Sequence, residues 1–206
     1  MTEERFLELR RLLSDRLGSR RFSHTLGVEK AIIDLGERYL PGDISRLRVA
    51  ALLHDLTKEW SEEEQIRFCE RNGIFLSEEE KAAPRILHAR TGAYLAAEEF
   101  PHLVDPCILS AIERHTTGDR EMTVFDGLLY LADYIEPTRT YPECLSLRDA
   151  FYNGYRDAEN KERHLNEIIL MALISTVKEI EERGGVVFSK TREAIDALTE
   201  KIAEHK

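Results

Sequence analysis

The chain has 206 residues, of which 42% are hydrophobic and 33% charged, and this balance suits one globular domain with a well-solvated surface. The formal net charge is -10 at pH 7, which argues against nucleic acid or an anionic membrane as a partner, because both are polyanions. A small phosphorylated substrate stays compatible, since a bound metal ion and a few local cations reverse the potential inside a pocket.

Apolar residues recur every three or four positions along the chain, and this period predicts an all-α fold. A first helix is predicted to end near Gly18, a second to span residues 22–39, and a third to run into Leu56. Two short helices are expected next, because Ser61 and Ser77 each precede a glutamate by three residues, the spacing of a capping box.

The second half of the chain continues with the same helical period. A helix is predicted over residues 85–100, and another after Asp105, with Gly118 as its C-terminal stop. Thr123 is expected to cap the following helix, which Pro137 ends. The remaining predictions are helices near residues 147–155, 162–183 and 191–204, and a short extended piece at 186–188.

The cysteines and the N-terminal segment bear on the cellular compartment. The sequence has three widely spaced cysteines and no CxxC pair, which favours reduced thiols. They are Cys69, Cys107 and Cys144. The N-terminal segment is amphipathic and acidic, unlike a signal peptide, and the longest apolar run, residues 168–174, is too short to span a bilayer. We therefore expect a cytoplasmic protein.

Six ionisable residues fall on or beside helical stripes that otherwise carry apolar residues. A buried polar group costs free energy unless something pairs with it, and a single inward histidine is more often a hydrogen-bonded core residue than a ligand. Repetition weakens that explanation and favours a shared metal. The six are His24, His54, Asp55, His88, His115 and Asp133. The other histidines, to which we assign no role, are His102, His164 and His205.

The residue types narrow the choice of metal. Imidazole with carboxylate suits iron, manganese, zinc or cobalt, whereas calcium and magnesium prefer all-oxygen shells. Six ligands are too many for one tetrahedral zinc and fit two adjacent cations, which in hydrolases lie about 3.5–4 Å apart and act on a phosphorus centre. Asp55 is the expected bridge, because its neighbour His54 fixes its position.

These residues resemble the HD superfamily of metal-dependent phosphohydrolases, whose hallmark is a histidine, a His-Asp pair and a distant aspartate. Here they are His24, His54-Asp55 and Asp133. A closer resemblance is to the bacterial YqeK family of symmetrical bis(5′-nucleosyl)-tetraphosphatases, carried by five segments in order. The segments are FSHTLGV, AALLHDLTKEW, LHARTGA, AIERHTTG and LADYIEPTR. The match covers residues 20–140 well and the C-terminal third loosely.

The resemblance implies one HD-type helical bundle over residues 1–206, with the metal motifs within 20–140 and further helices in 141–206. It also implies a buried di-iron centre, with manganese as the alternative, that cuts diadenosine tetraphosphate into two ADP by a metal-bound hydroxide. By analogy, the first ion is held by His24, His54, Asp55 and Asp133. The second is bridged through Asp55 and held by His88 and His115, and these three form the catalytic set.

Substrate contacts are expected from Lys58, Thr116 and Arg139, which lie just past the metal motifs. The competing interpretation makes each cation a favourable charge at a helix C-terminus and Thr116 part of a helix stop. Two other functions stay open: an HD-type phosphatase of nucleoside mono- or diphosphates, and a non-catalytic nucleotide-binding regulator. A homodimer is the alternative to a monomer.

Overall fold

Eleven α-helices form the regular structure of residues 1–204, the part of the chain that this computed structural model describes. They are α1 (Glu3–Arg16), α2 (Ser19–Tyr39), α3 (Ile44–Leu53), α4 (Glu62–Arg71), α5 (Glu78–Ala82), α6 (Leu87–Glu99), α7 (Pro106–Arg114), α8 (Val124–Ile135), α9 (Pro142–Asp157), α10 (Lys161–Glu182) and α11 (Ser189–Glu204). Short 3₁₀ turns at Pro41–Asp43 and Pro84–Ile86 precede α3 and α6. Strands are absent from residues 1–204, so the all-α prediction is confirmed. His205 lies outside the described residues.

Local sequence signals set several of the helix ends. Ser61, Ser77 and Thr123 each accept a hydrogen bond from the backbone N–H three residues on, and the acidic side chain there accepts one from the cap's own N–H. Asp105 caps α7 by accepting from the first two available amides of that helix. Gly118 stops the turn after α7 with φ +68°, a conformation that other L residues rarely adopt.

Three segments differ from the prediction. Helix α3 ends at Leu53 and does not reach Leu56, because residues 54–60 form successive turns with bonds to the carbonyl three residues back. Helix α9 begins at Pro142, earlier than expected, since proline is favourable in a first helical turn. Residues 186–188 form no strand, because no partner strand lies beside them within residues 1–204.

The helices pack so that the ends of α3 and α7 and the start of α6 come together. Helix α2 packs against α3 and α8, and α7 packs against α6, α8 and α3. Val28, Leu53, Ile112 and Leu129, each at 0% exposure, lie in this core, and burying a side chain of this size contributes about 1.5–3 kcal/mol. None of the helices in the described range is both long and apolar enough for a bilayer crossing.

The turn that follows α7 rests on the C-terminal helices. A Cβ atom on Gly118 would lie 3.0 Å from Ala194 Cβ on α11 and 3.3 Å from Leu173 Cδ2 on α10. Helix α10 itself packs against α8, α9 and α11. The C-terminal third, which the sequence resemblance covers only loosely, therefore supports the turn that carries Thr116.

Candidate metal centre

Six side chains from five parts of the fold converge at the ends of α3 and α7. His24 comes from α2, His88 from the first turn of α6, and Asp133 from α8; His54, Asp55 and His115 directly follow the ends of α3 and α7. These are the six residues that the sequence singled out, and the structure brings all of them together. Their role as metal ligands stays a prediction.

Asp55 lies between two pairs of imidazoles. Its Oδ2 atom is 3.2 Å from His54 Nε2 and 3.7 Å from His24 Nε2. Its Oδ1 atom is 3.5 Å from His88 Nε2 and 3.6 Å from His115 Nε2. Each carboxylate oxygen therefore faces a different pair, which is the arrangement a bridging ligand needs.

Asp133 adds a second carboxylate to one side of Asp55. Its Oδ1 atom lies 2.9 Å from His24 Nε2 and 4.0 Å from His54 Nε2. Candidate ligand atoms of His24, His54 and Asp133 all lie within 4.8 Å of one another, and the same holds for His54, Asp55 and His115. The two groups share His54, and each is compact enough for one cation.

The rings of His54, His88 and His115 are oriented in the same way. Each Nδ1 atom lies close to the backbone carbonyl oxygen of the residue three positions earlier, at 2.7, 2.8 and 2.7 Å respectively. Donation from Nδ1–H to these oxygens fixes the tautomer and leaves the Nε2 lone pair directed at the cluster. His24 differs, because its Nδ1 lies 3.1 Å from the side chain of Glu136.

Two of the converging nitrogens fit a metal better than a hydrogen bond. His24 Nε2 and His54 Nε2 are buried and form no well-oriented hydrogen bond within residues 1–204, although Asp133 Oδ1 lies 2.9 Å from the first and Asp55 Oδ2 lies 3.2 Å from the second. A buried polar atom that stays unsatisfied costs about 1–3 kcal/mol. A cation held by these lone pairs removes that cost. The mixed imidazole and carboxylate donor set fits a first-row transition metal such as iron or manganese.

Burial divides the six side chains. Four are buried as expected, with exposed fractions of 0–3%: His54, Asp55, His88 and His115. The expectation that all six are buried is wrong for His24 and Asp133, whose side chains are 11% and 20% exposed. The reason is that His24 lines a cleft that opens to solvent, and Asp133 lies beside it.

The electrostatic environment separates the two ends of the cluster. Burial and the Lys58 ammonium, 3.0 Å from His88 Nε2, hold the pKa of His88 well below its ordinary value. Burial also disfavours charging His24, but its contacts with Asp133 and Glu136 outweigh this and raise its pKa to about 9. The lowered pKa keeps His88 neutral, whereas His24 would have to lose a proton before its Nε2 could hold a cation.

A cleft of about 560 Å³ opens beside His24 and is lined by cationic side chains. Arg21 Nη1 lies 2.6 Å from Asp55 Oδ2, and Arg139 Nη2 lies 2.7 Å from Asp133 Oδ1. Arg20 also lines the cleft. The sequence interpretation included Arg139 but missed Arg20 and Arg21, whose position one helical turn before His24 could have suggested them.

The other two expected substrate contacts lie at the opposite end, beside His88. Thr116 Oγ1 is 3.1 Å from His88 Nε2 and 3.2 Å from His115 Nε2. Lys58 keeps the contact with His88 described above, and burial lowers its pKa while Asp55 and Asp133 oppose that shift. The structure therefore places Lys58 and Thr116 on one side of Asp55 and Arg139 on the other.

The remaining described histidines stand apart from the cluster. His164 is 8% exposed, stacks on the Phe151 ring and has Nε2 3.0 Å from the Phe151 carbonyl oxygen, so it is a satisfied core residue. His102 is exposed in the connection before α7. Neither contributes to a candidate metal group.

Comparison with known proteins gives consistent matches. The HD domain family model matches residues 21–138. The chain is 32% identical over 181 residues to a symmetrical bis(5′-nucleosyl)-tetraphosphatase of Bacillus subtilis, covering 87% of this chain and 89% of that protein. A Staphylococcus aureus protein of the same name is 37% identical over 147 residues, covering 70% and 73%. A crystal structure of a predicted HD superfamily hydrolase involved in NAD metabolism, from Clostridium acetobutylicum, matches with TM-score 0.83 and 31% identity over 95% of this chain and 97% of that one.

Proposed function

Because the chain belongs to the HD domain family and to its branch of symmetrical bis(5′-nucleosyl)-tetraphosphatases, we propose that this hydrolase cleaves diadenosine tetraphosphate in its middle to two molecules of ADP. The observation that carries the proposal is the position of Asp55. One of its oxygens faces His24 and His54, and the other faces His88 and His115. This arrangement supports a dinuclear phosphohydrolase centre.

In the proposed centre the ligands divide around Asp55. One cation would be held by His24, His54, Asp55 and Asp133, and the second by Asp55, His88 and His115. When bound, two divalent cations, iron or alternatively manganese, acidify water and neutralise charge on phosphoryl oxygens. The chain's own part is to hold the imidazole lone pairs and the carboxylates in place before the substrate arrives.

Cationic side chains around the cluster suit a polyphosphate. Arginine forks match phosphate oxygens, and charge-assisted bonds of this kind are about twice as strong as neutral ones. Arg21 and Arg139 lie at the end near His24, and Lys58 lies at the end near His88. A tetraphosphate laid across the cluster meets positive charge at both ends, which supports reaction at its centre.

The side-chain charges are compatible with this role. Burial opposes the charge of Arg139, but Asp133 outweighs burial and raises the pKa of Arg139, so the guanidinium stays protonated. Thr116 offers a hydroxyl that can donate to a phosphate oxygen beside His88 and His115. We therefore propose Lys58, Thr116 and Arg139 as substrate contacts, with Asp55, His88 and His115 as the catalytic set.

Two broader proposals concern the number of domains and the cellular compartment. The large apolar core includes residues of both the motif-bearing helices and α9–α11, which supports one domain over residues 1–206. The three cysteines, Cys69, Cys107 and Cys144, are free thiols, which supports a reducing compartment such as the cytoplasm.

Product analysis tests the proposed reaction against its rivals. Anaerobically purified protein is assayed for metal content and incubated with diadenosine tetraphosphate, AMP and ADP in separate reactions, and the products are separated by chromatography. ADP as the single product supports the proposal, whereas ATP with AMP contradicts symmetrical cleavage. Hydrolysis of AMP or ADP without turnover of the tetraphosphate favours a nucleotide phosphatase. Tight binding without cleavage favours a non-catalytic regulator.

A further inference from the structure

Glu136 is a buried carboxylate that contacts a candidate metal ligand from behind. Its side chain is 1% exposed, and Oε1 lies 3.1 Å from His24 Nδ1, on the ring edge opposite Asp133. Thr138 donates to the same carboxylate twice, from its backbone N–H to Oε2 and from Oγ1 to Oε1, at 2.6 Å each. These donors hold the carboxylate in one orientation toward the ring.

The backbone that carries Glu136 is fixed in turn by Arg148 of α9. The Arg148 guanidinium donates to the carbonyl oxygens of Ile135, Glu136 and Arg139, at 2.8, 2.6 and 3.0 Å. This clamp orders the chain after α8, where the helix ends before Pro137. The carboxylate is therefore anchored both through its side chain and through its peptide.

Gly27 makes room for the same carboxylate on α2. A Cβ atom at this position would lie 2.1 Å from Glu136 Oε2 and 3.0 Å from its Cδ. A glycine inside a helix costs roughly 0.5–1 kcal/mol relative to alanine, so helix stability does not explain it. The close approach of Glu136 does explain it.

His24 is the one ring of the cluster that is oriented by a carboxylate. The other three candidate histidines use backbone carbonyl oxygens at Nδ1. A carboxylate acceptor makes a stronger bond to Nδ1–H than a carbonyl and makes the opposite nitrogen a better electron donor to a metal. Only the proposed first cation group, which consists of His24, His54, Asp55 and Asp133, therefore contains an imidazole oriented by a carboxylate.

We propose that Glu136 is the positioning residue of His24, fixing its Nδ1–H tautomer so that Nε2 points into the first cation group, and that Gly27 exists to admit it. The inference rests on the proposed function, because it assumes that this group binds a cation. In this role Glu136, three residues after Asp133, contacts a proposed metal ligand and does not itself bind the cation.

The variant Glu136→Gln separates positioning from packing. If the amide oxygen faces His24, the amide NH₂ faces the Thr138 N–H, and two donors oppose each other. If the amide is turned round, its NH₂ faces His24 Nδ1 and favours the tautomer whose proton is on Nε2. Both orientations weaken cation binding at Nε2, although the side chain keeps its size.

Calorimetric titration with Mn²⁺ alone, without nucleotide, tests this inference. The protein set is the full-length wild type, Glu136→Gln, Gly27→Ala and Glu29→Gln. Glu29 is the matched control: it is a buried carboxylate on α2, 3% exposed, that accepts from Arg10 and Arg48 away from the cluster. Unfolding of each metal-free variant is recorded in parallel to establish that it is folded.

We expect wild type and Glu29→Gln to bind two Mn²⁺ ions with the same affinities. Glu136→Gln and Gly27→Ala should weaken one of the two sites by about 10–100-fold and leave the other unchanged, the usual effect of removing an orienting partner. Wild-type affinity at both sites in folded Glu136→Gln overturns this inference alone. Failure of the wild type to bind two ions overturns the proposed function and the inference together.

Discussion

The Nε2 atoms of His88 and His115 lie 3.2 Å apart at the buried end of the cluster. Both rings have Nδ1 close to a backbone carbonyl oxygen, so both present a lone pair at Nε2. Two lone pairs facing each other at this distance repel, and the donors beside them are the Lys58 ammonium, 3.0 Å from His88 Nε2, and the Thr116 hydroxyl, 3.1 Å and 3.2 Å from the two nitrogens. A cation shared by the two rings removes this repulsion.

Replacing His115 tests the second cation group. We expect His115→Asn to bind one Mn²⁺ ion instead of two and to lose more than about 100-fold in turnover, because even outer partners of metal ligands cost about 10–100-fold. Metal content by mass spectrometry and ADP release measure the two effects. The exposed His102→Asn serves as the control and should match wild type. Two retained ions in His115→Asn would contradict the ligand assignment.

Replacing Asp55 should affect both groups, because its two oxygens face different pairs of imidazoles. We expect Asp55→Asn to weaken both Mn²⁺ sites and to abolish measurable hydrolysis of diadenosine tetraphosphate. The comparison with His115→Asn is informative, since that variant should lose one site only. A variant that loses one ion and keeps the other at wild-type affinity would show that Asp55 does not bridge.

Removing the metal should lower thermal stability while keeping the fold. A ligand present at 100 times its dissociation constant stabilises the folded state by about 2.7 kcal/mol, which for a chain of this size corresponds to roughly 5–11 °C in Tm. We expect a chelator to lower Tm by this amount and to stop hydrolysis, and added Mn²⁺ or Fe²⁺ to restore both. Differential scanning calorimetry with and without chelator measures the change, and an unchanged Tm would argue against a bound cation.

The cationic side chains give a separate kinetic prediction. Losing one charge-assisted bond costs about 1.5–3 kcal/mol, so Arg139→Ala and Lys58→Ala should each lower kcat/KM by roughly 10–100-fold. Arg67→Ala is the control, because Arg67 forms an exposed ion pair with Glu63 on α4. Unchanged kcat/KM in folded Arg139→Ala would reject its role as a phosphate contact.

Gly118 and Gly184 form a matched pair for stability. Both have φ +68°, but only Gly118 is crowded, by Ala194, Leu173 and Met122. We expect Gly184→Ala to destabilise by about 1 kcal/mol through backbone strain and Gly118→Ala by about 2–3 kcal/mol, since contact is added to strain. Urea unfolding measures both. Gly118→Ala should also reduce activity, because its turn carries Thr116, and equal losses of stability would remove the proposed role of the C-terminal helices.

The helical period located most of the cluster even where the helices end early. The prediction placed His54 and His115 inside helices, whereas in the structure each lies one residue past the end of its helix, α3 or α7. Their backbone angles stay in the helical region, with φ −59°, ψ −33° and φ −63°, ψ −18°, so the side chains continue the inward face. The prediction of their inward position is correct because the first residue after each helix keeps helical backbone angles, so its side chain points to the same face.

Contacts between distant parts of the chain could not be predicted in the same way. Glu136 and His24 are 112 residues apart, and nothing in either local pattern indicates that α2 and the end of α8 meet there. The need for glycine at position 27 follows from the same contact, because a Cβ atom there would lie 2.1 Å from Glu136 Oε2. The partial exposure of Asp133 likewise depends on its place beside a cleft between α2 and the connections that follow α3 and α8, which periodicity along one helix does not describe.

The outward nitrogens of all four cluster rings are tethered to the protein, three to peptide oxygens and one to Glu136. Ordering of the four rings therefore costs conformational entropy when the chain folds, and the further entropy cost of binding a cation should be small. If these donors hold cations as proposed, we expect them to accept several first-row ions, because imidazole and carboxylate suit more than one of these metals, and the ion that is bound would then depend on supply. Growth conditions that change the ratio of iron to manganese should change the ion recovered with the protein.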